Sequence, residues 1–147
     1  VWRVAADQYR DEALSLLAQV GMADQAERAC SLLAYGDLKR LELAMALASQ
    51  PRLLLMDEPT AGMAPAERDE LMALTTRLTA ERKLGVLFTE HSMDVVFRYA
   101  SRMLVMARGR VIAQGDPPAC VTTRKCHRSP VASGSETRSP LLWLPLI

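Results

Sequence analysis

Two adjacent carboxylates that follow a short apolar run are the strongest chemical signal in the sequence. The run 53–56 (Leu-Leu-Leu-Met) predicts a buried central strand of a parallel sheet, and Asp57 and Glu58 follow it directly. Ligands of open α/β sheets bind at this end of the strands. An acid there holds Mg²⁺, usually through water, and a second carboxylate can polarise a water that attacks a γ-phosphate. The alternative is a strand that ends in solvated acids.

Two further segments have residue types that suit phosphate chemistry. Gly36 lies just before a predicted helix, where it would let a phosphate approach backbone N–H groups at the helix N-terminus. His91 follows the next predicted strand, so it is expected in the same crevice as Glu58, within reach of a γ-phosphate or an attacking water. The alternatives are an ordinary glycine turn and a structural histidine.

The elements that must position these residues follow from apolar periodicity. Helical spacing predicts helices at 12–20, 23–30, 38–49, 65–83 and 93–99. Short apolar runs at 53–56 and 85–89 predict buried strands, and 103–107 with 111–113 predict a hairpin. Strands alternate with helices along the middle of the chain, which favours an α/β domain with a mostly parallel sheet.

Composition limits the remaining possibilities. The 147 residues are half apolar with a net charge of +1, which is typical of a globular domain and gives no indication of nucleic-acid binding. No apolar run approaches the ~20 residues of a membrane span. The segment 117–147 has four basic residues and one acidic residue and is rich in Ser, Thr and Pro, so it is predicted to be disordered. Cys120, Cys126 and His127 lack the paired spacing of a zinc site.

The order and spacing of these segments resemble those of the ABC ATPases, over residues 10–116. The segment 33–37 is similar to the family's signature sequence, 53–57 to its Walker B strand, and 59–63 to its D-loop. The resemblance implies these site residues: signature residues Leu33, Ala34, Tyr35, Gly36 and Asp37, which contact a partner's ATP; Asp57, which holds Mg²⁺ through water; the catalytic residues Glu58 and His91; and D-loop residues Ala61 and Gly62.

The same resemblance implies a partial P-loop NTPase fold. In this fold, residues 1–32 end a helical subdomain, 33–116 form the signature, Walker B and switch region with a closing hairpin, and 117–147 form an atypical tail. The segments 35–37, 39–44, 57–62 and 109–117 are most similar to ATP-binding subunits of branched-chain amino-acid importers. The implied cofactors are ATP and Mg²⁺. The implied partners are a second ABC ATPase subunit, membrane permease subunits and, indirectly, a solute-binding protein, at the cytoplasmic face of the membrane.

Three departures from the family pattern matter. The sequence contains no G-x-x-x-x-G-K-[ST] segment, so the loop and lysine that hold the β- and γ-phosphates are missing from it. Ala34 stands where many members have serine, and residues 61–64 lack the D-loop aspartate. Because phosphates need preorganised donors, we expect negligible ATP binding and turnover by the chain alone.

Three hypotheses follow. The first is an ABC importer ATPase represented by a fragment. The second is a non-catalytic relic or interaction module that only contributes a signature face to a partner. The third is a DNA-repair or chromosome-structural ABC ATPase, which the compact segment before Leu33 and the absence of a coiled-coil insertion disfavour. The patternless sequence after Pro118 also predicts an altered reading frame or a disrupted gene end, which sequencing the locus and translating all frames would test.

Overall fold

The computed structural model describes residues 9–117, together with the backbone of residues 127–128 and 142–146. The chain divides into two compact units. The first contains the described residues up to Arg52 together with Met63–Lys83, and the second contains Leu53–Gly62 and the described residues from Leu84 onward. The chain thus passes between the units three times, which differs from the sequential divisions at residues 32 and 116 that the sequence predicts.

Three helices form the first unit: α1 (Arg10–Gln19), α2 (Tyr35–Ala48) and α3 (Pro65–Arg82). All three were predicted, although α2 begins three residues earlier than expected. Ala34, with φ −66° and ψ 157°, occupies the N-cap position and is extended. Tyr35, Gly36 and Asp37 therefore form the first turn of α2 instead of a loop before it.

The predicted helix at 23–30 is wrong. The structure has two short 3₁₀ turns in this region, Ala23–Gln25 and Cys30–Leu32. Backbone bonds of the i to i+3 type support them, such as Gln25 N–H to the Met22 carbonyl at 3.0 Å. Residues 23–33 are mostly exposed, so this short segment has no buried apolar face to stabilise an α-helix.

The core of the first unit consists of apolar residues from α2, from α3 and from the turn after α1, whereas no residue of α1 itself is buried. Its fully buried members are Val20, Met22, Leu47, Leu71, Met72 and Leu78. At the start of α3, Pro65 is the first helical residue, and the Glu67 carboxylate accepts a hydrogen bond from the Ala64 N–H at 3.1 Å. Near its other end, Arg82 donates to the Leu47 carbonyl at 3.3 Å and to Oε1 of Gln19 at 2.5 Å. A single arginine thus joins the C-terminal ends of α1 and α2.

The second unit contains a six-stranded sheet and one helix. Its elements are β1 (Leu53–Asp57), β2 (Gly85–Thr89), α4 (Met93–Tyr99), β3 (Arg102–Ala107), β4 (Arg110–Gly115), β5 (His127–Arg128) and β6 (Leu142–Leu146). The strand order is β1-β2-β6-β3-β4-β5. β1 pairs with β2 in parallel, and the other described pairs are antiparallel. The predicted α/β class, with parallel pairing and a C-terminal hairpin, is confirmed.

One face of the β1–β2 pair is buried and the other is exposed. Val86 and Phe88 of β2 have no exposed surface and Leu54 is 5% exposed, whereas Leu53 and Leu55 are 51% and 67% exposed. The prediction that 53–56 is a buried central strand is therefore wrong in two respects, since β1 lies at the end of the described strand order and has one open face. A short continuous apolar run does not distinguish burial on one face from burial on both.

The hairpin of β3 and β4 turns at Arg108 and Gly109, which both have positive φ (51° and 74°). Such angles match the two-residue turns that suit the twist of a hairpin. Val105 and Met103 of β3 pack with Val96 of α4 in a small buried cluster. This cluster holds α4 to the sheet and so fixes the residues that precede α4.

Most of the segment after Pro117, including Cys120 and Cys126, lies outside the described residues. The two described segments, β5 and β6, are strands. The prediction that residues 117–147 are disordered is therefore wrong for these two segments. β6 pairs antiparallel with β3 over five residues and with β2 at Leu87 and Leu146. Backbone pairing of this kind needs no apolar period, which explains why periodicity did not predict it. Within the described part of the chain, no helix is both long enough and apolar enough to span a bilayer.

Candidate functional site

Asp57 and Thr89 lie opposite each other at the carboxyl ends of β1 and β2. The Thr89 hydroxyl donates a hydrogen bond to Oδ1 of Asp57. The Glu58 N–H donates to Oγ1 of Thr89 at 3.0 Å and to its carbonyl oxygen at 3.1 Å. Thr89 thus holds both the Asp57 side chain and the first residue of the loop that follows. Sequence analysis did not identify Thr89 as a site residue. Its place at the end of the second strand could have indicated this role, because aligning the two strands pairs Thr89 with Asp57.

Glu58 and His91 meet just beyond these strand ends. Nε2 of His91 lies 3.2 Å from Oε2 of Glu58, and the two side chains are 66% and 46% exposed. Glu58 has a φ of 45°, so the chain turns sharply away from the direction of β1 at this residue. The structure therefore brings together the carboxylate and the imidazole that the sequence placed in one crevice. An exposed carboxylate next to an imidazole can orient a water and accept its proton.

A buried carboxylate lies beside this exposed pair. Glu90, which is 3% exposed, accepts hydrogen bonds from the N–H and the hydroxyl of Thr60 and from the N–H of Ser92. Thr60 is itself 2% exposed. We call Glu90, Thr60 and Ser92 the Glu90 cluster. Sequence analysis did not identify this cluster. Successive side chains of a strand point to opposite faces, so Glu90 is directed inward when His91 points outward, and this alternation could have revealed Glu90.

The turn after Glu58 contains the two D-loop residues implied by the resemblance. The Ala61 N–H donates to the Glu58 carbonyl oxygen at 3.0 Å. Gly62 has a φ of 75°, a conformation that glycine adopts without steric cost. These residues close a compact turn over 58–62, and the chain leaves the second unit after Gly62.

The five signature residues lie in the first unit, where Leu33 and Ala34 precede α2 and Tyr35, Gly36 and Asp37 form its first turn. A Cβ built on Gly36 would lie 3.6 Å from Oε1 of Glu67 and 3.8 Å from Cε of Met63, which is ordinary van der Waals contact. The first N–H groups of an α-helix have no acceptor within the helix, which favours an anion, whereas the carboxylates of Glu67 and Asp37 near this turn oppose one. The other predicted site residues lie in the second unit: Asp57, Glu58, Ala61, Gly62 and His91.

A lysine lies next to this first turn. Lys39 Nζ donates to Oε2 of Glu42 at 2.9 Å and lies 5.5 Å from the centre of the Tyr35 ring. The hydrogen bond to Glu42 raises the pKa of Lys39, and Tyr35 raises it further. Lys39 is therefore cationic at neutral pH, and its positive charge lies beside Tyr35.

The oxygen groups at the β1–β2 ends fit a magnesium ion that is bound mainly by water and phosphate. Asp57 supplies a carboxylate, and the Thr89 hydroxyl occupies only one of its oxygens. Mg²⁺ is commonly held by one or two carboxylates plus waters and substrate phosphates. Among the described residues, no group of three or more His, Cys, Asp or Glu side chains forms a metal-binding cluster. Asp57 is thus suited to a hydrated ion and not to a cage made of protein ligands alone.

Comparison with known proteins agrees with this geometry. The family profile described as "ABC transporter" matches residues 2–61. The high-affinity branched-chain amino acid transport ATP-binding protein BraF of Pseudomonas aeruginosa is 39% identical over 101 residues, covering 69% of this chain and 40% of BraF. The energy-coupling factor transporter ATP-binding protein EcfA2 of Lactiplantibacillus plantarum is 40% identical over 106 residues, covering 71% of this chain and 36% of EcfA2.

A solved structure shows the same likeness in three dimensions. The chain superimposes on cbiO1 of Clostridium perfringens, part of the ABC transporter complex cbiONQ, with a TM-score of 0.74 at 31% identity; the match covers 80% of this chain and 47% of cbiO1. The chain therefore spans less than half the length of these relatives. Over that length the profile, the sequence relatives and the fold agree, and the matched part of the chain is similar to ABC transporter ATP-binding proteins.

Proposed function

We propose that this chain supplies the water-activating part of an ABC ATPase site. The observation that carries the proposal is the Glu58–His91 pair, with 3.2 Å between Oε2 and Nε2, directly beside Asp57 at the carboxyl ends of two parallel strands. The exposed Glu58 carboxylate accepts a proton from the attacking water, and His91, which lies next to that carboxylate, contacts the γ-phosphate. Asp57 holds Mg²⁺ through water, with its side chain fixed by Thr89.

Magnesium-bound ATP brings the reacting phosphoryl group and a cation that neutralises its charge. These 147 residues contain no P-loop motif, so the donors that hold the β- and γ-phosphates would come from a segment outside them. The relatives have more than half of their length outside the matched part, which supports the proposal that the described residues complete a site assembled with such a segment.

A hybrid protein tests this proposal. The full chain replaces the matched segment of BraF, and its ATPase activity is measured beside that of intact BraF. Glu58→Gln should lower kcat by about 100-fold or more, since general-base catalysis contributes about 10² to 10⁴ in rate. Glu81→Gln is the matched control, because Glu81 is an exposed α3 residue paired only with Arg77 at 3.6 Å among the described contacts. An active hybrid that is unaffected by Glu58→Gln would refute the catalytic role of Glu58.

A second candidate is a non-catalytic module that only contributes a signature face. It is favoured by the absence of the P-loop motif together with the ordered first turn of α2 around Gly36. The full chain would then stimulate ATP hydrolysis by intact BraF in a mixed dimer, whereas the hybrid would be inactive. Gly36→Asp should abolish that stimulation, because its carboxylate would repel a phosphate near the helix N-terminus.

For the transported solute, we propose branched-chain amino acids, as the name of BraF states for that protein. EcfA2 is also 40% identical over 106 residues, so sequence similarity supports the ATPase role more strongly than the choice of solute. The proposed partners are a second ATPase subunit, membrane permease subunits and, indirectly, a solute-binding protein, with the chain at the cytoplasmic membrane face. Uptake of labelled leucine by cells whose BraF is replaced by the hybrid would support this assignment, and uptake at the level of cells without BraF would contradict it.

A further inference from the structure

We propose that Glu90 is a positioning residue: its buried carboxylate joins the loop that carries Glu58 to the loop that carries His91. This inference rests on the proposed function of those two side chains. Thr60 lies two residues after Glu58, and Ser92 lies one residue after His91. Both donate hydrogen bonds to Glu90, Thr60 N–H to Oε1 at 3.1 Å and Ser92 N–H to Oε2 at 3.3 Å. Each oxygen of a single carboxylate therefore holds one of the two loops.

The burial of the cluster gives these bonds their importance. Glu90 is 3% exposed and Thr60 is 2% exposed, so water does not readily replace a lost bond. A buried carboxylate is costly unless its oxygens accept hydrogen bonds, and the Glu90 carboxylate accepts three: from the N–H and hydroxyl of Thr60 and from the N–H of Ser92. If either loop moved away, Glu90 would lose donors that it needs. The two loops are thus energetically coupled through one side chain.

The contrast with the exposed pair shows why such a connection is needed. The Glu58 and His91 side chains are 46% and 66% exposed, and a contact between exposed groups contributes about 0 to 1 kcal/mol. That contact alone holds the two side chains together only weakly. The backbone of each loop must therefore be held by a contact other than the exposed pair. The Glu90 cluster provides this contact, and it is buried. Small displacements of a catalytic group lower the rate strongly.

The first test measures amide hydrogen exchange on the full chain and needs no nucleotide. Thr60→Val removes the hydroxyl that donates to Glu90 but leaves the Ser92 N–H in place. Coupling through Glu90 predicts faster exchange of the Ser92 amide, by up to about tenfold, which corresponds to one lost hydrogen bond. Thr60→Ser keeps the donor and should restore the original exchange rate.

Thr75→Val is the matched control. Thr75 has no exposed surface, and its hydroxyl donates to the Leu71 carbonyl at 2.8 Å within α3, in the first unit. This change also removes one buried hydroxyl bond, yet the Ser92 amide should exchange as before. Equal exchange of Ser92 in wild type and Thr60→Val would overturn the proposal, as would equal acceleration by Thr60→Val and Thr75→Val.

The second test measures the catalytic consequence in the BraF hybrid. Thr60→Val and Glu90→Gln should lower kcat at least tenfold and leave KM for ATP within about twofold, because they displace Glu58 without touching ATP. In a Glu58→Gln background each change should lower kcat by less than it does alone, since residues that act through a shared group are non-additive. Full additivity, or a change in KM alone, would overturn the proposal. If Glu58→Gln itself has no effect, the proposed function fails, and the exchange test still decides whether Glu90 joins the loops.

Discussion

Asp57 and Thr89 form a cross-strand pair in which the Thr89 hydroxyl donates to one carboxylate oxygen of Asp57. The same Thr89 oxygen accepts the Glu58 N–H at 3.0 Å. One side chain of β2 thus orients the proposed ion-binding carboxylate and fixes the backbone of the proposed general base.

Thr89→Val should therefore raise the Mg²⁺ requirement of the BraF hybrid. Groups that orient a metal-binding carboxylate typically contribute about 10- to 100-fold to metal affinity, and we expect about tenfold, since Mg²⁺ also binds the nucleotide. The Mg²⁺ concentration for half-maximal ATPase rate is the measurement. Thr89→Ser, which keeps the hydroxyl, should stay close to the original value; an unchanged requirement in both variants would show that Thr89 does not position Asp57.

The open face of β1 should cause self-association of the chain. Leu55 and Leu53 are 67% and 51% exposed on adjacent same-face positions of an edge strand. Leu55→Lys should reduce the sedimentation coefficient at high protein concentration and change the unfolding free energy by about 0.5 kcal/mol or less. Leu54→Lys places the same charge at a position that is 5% exposed and should prevent folding. Association that persists in Leu55→Lys would exclude this face as its cause.

Two glycine-to-alanine changes should alter stability in opposite directions. Gly36 is helical, and its new Cβ would meet atoms at 3.6 to 3.8 Å, so Gly36→Ala should stabilise the chain by up to about 1 kcal/mol. Gly109 has a φ of 74° and open space around it, so Gly109→Ala should cost about 1 kcal/mol for backbone conformation alone. Urea unfolding of both variants is the measurement. Destabilisation by Gly36→Ala would mean that the first turn of α2 is not helical in solution.

Arg82→Met should destabilise the first unit. The guanidinium donates to the Leu47 carbonyl and to Gln19 Oε1, and hydrogen bonds from charged groups contribute about 1.5 to 3 kcal/mol. The loss should appear as a lower urea midpoint with an unchanged slope. Arg52→Met at an exposed position is the control and should stay within about 0.5 kcal/mol of wild type. A small effect of Arg82→Met would mean that water replaces both bonds.

The sequence predicted those features that depend on local pattern. Pro65 at the start of a long periodic segment predicted α3, and the strand-end positions of Glu58 and His91 predicted that their side chains lie close together. These predictions succeeded because helix starts and the ends of parallel strands have strong positional rules.

The features that sequence analysis missed depend on tertiary contacts. The apolar run 53–56 is the same whether one or both faces of the strand are covered, so it did not reveal the open face. Likewise, the residue types at 23–30 do not show that this segment is mostly exposed and has no apolar surface to pack against. The inward direction of Glu90 depends on which face of β2 is buried, since Thr60 reaches it only after the turn over 58–62 has formed. Such relations appear only when distant segments are placed in space.

The position of β6 has a consequence for how the protein is made. This strand lies between β2 and β3 in the sheet, yet it is encoded after both, and more than 25 residues separate it from the end of β4. During synthesis the ribosome therefore releases β2 and β3 well before the strand that joins them. Until then, the facing edges of β2 and β3 have unpaired N–H and carbonyl groups that can bind other strands. The nascent chain consequently passes through an interval in which chaperone protection matters more than it does for the finished sheet.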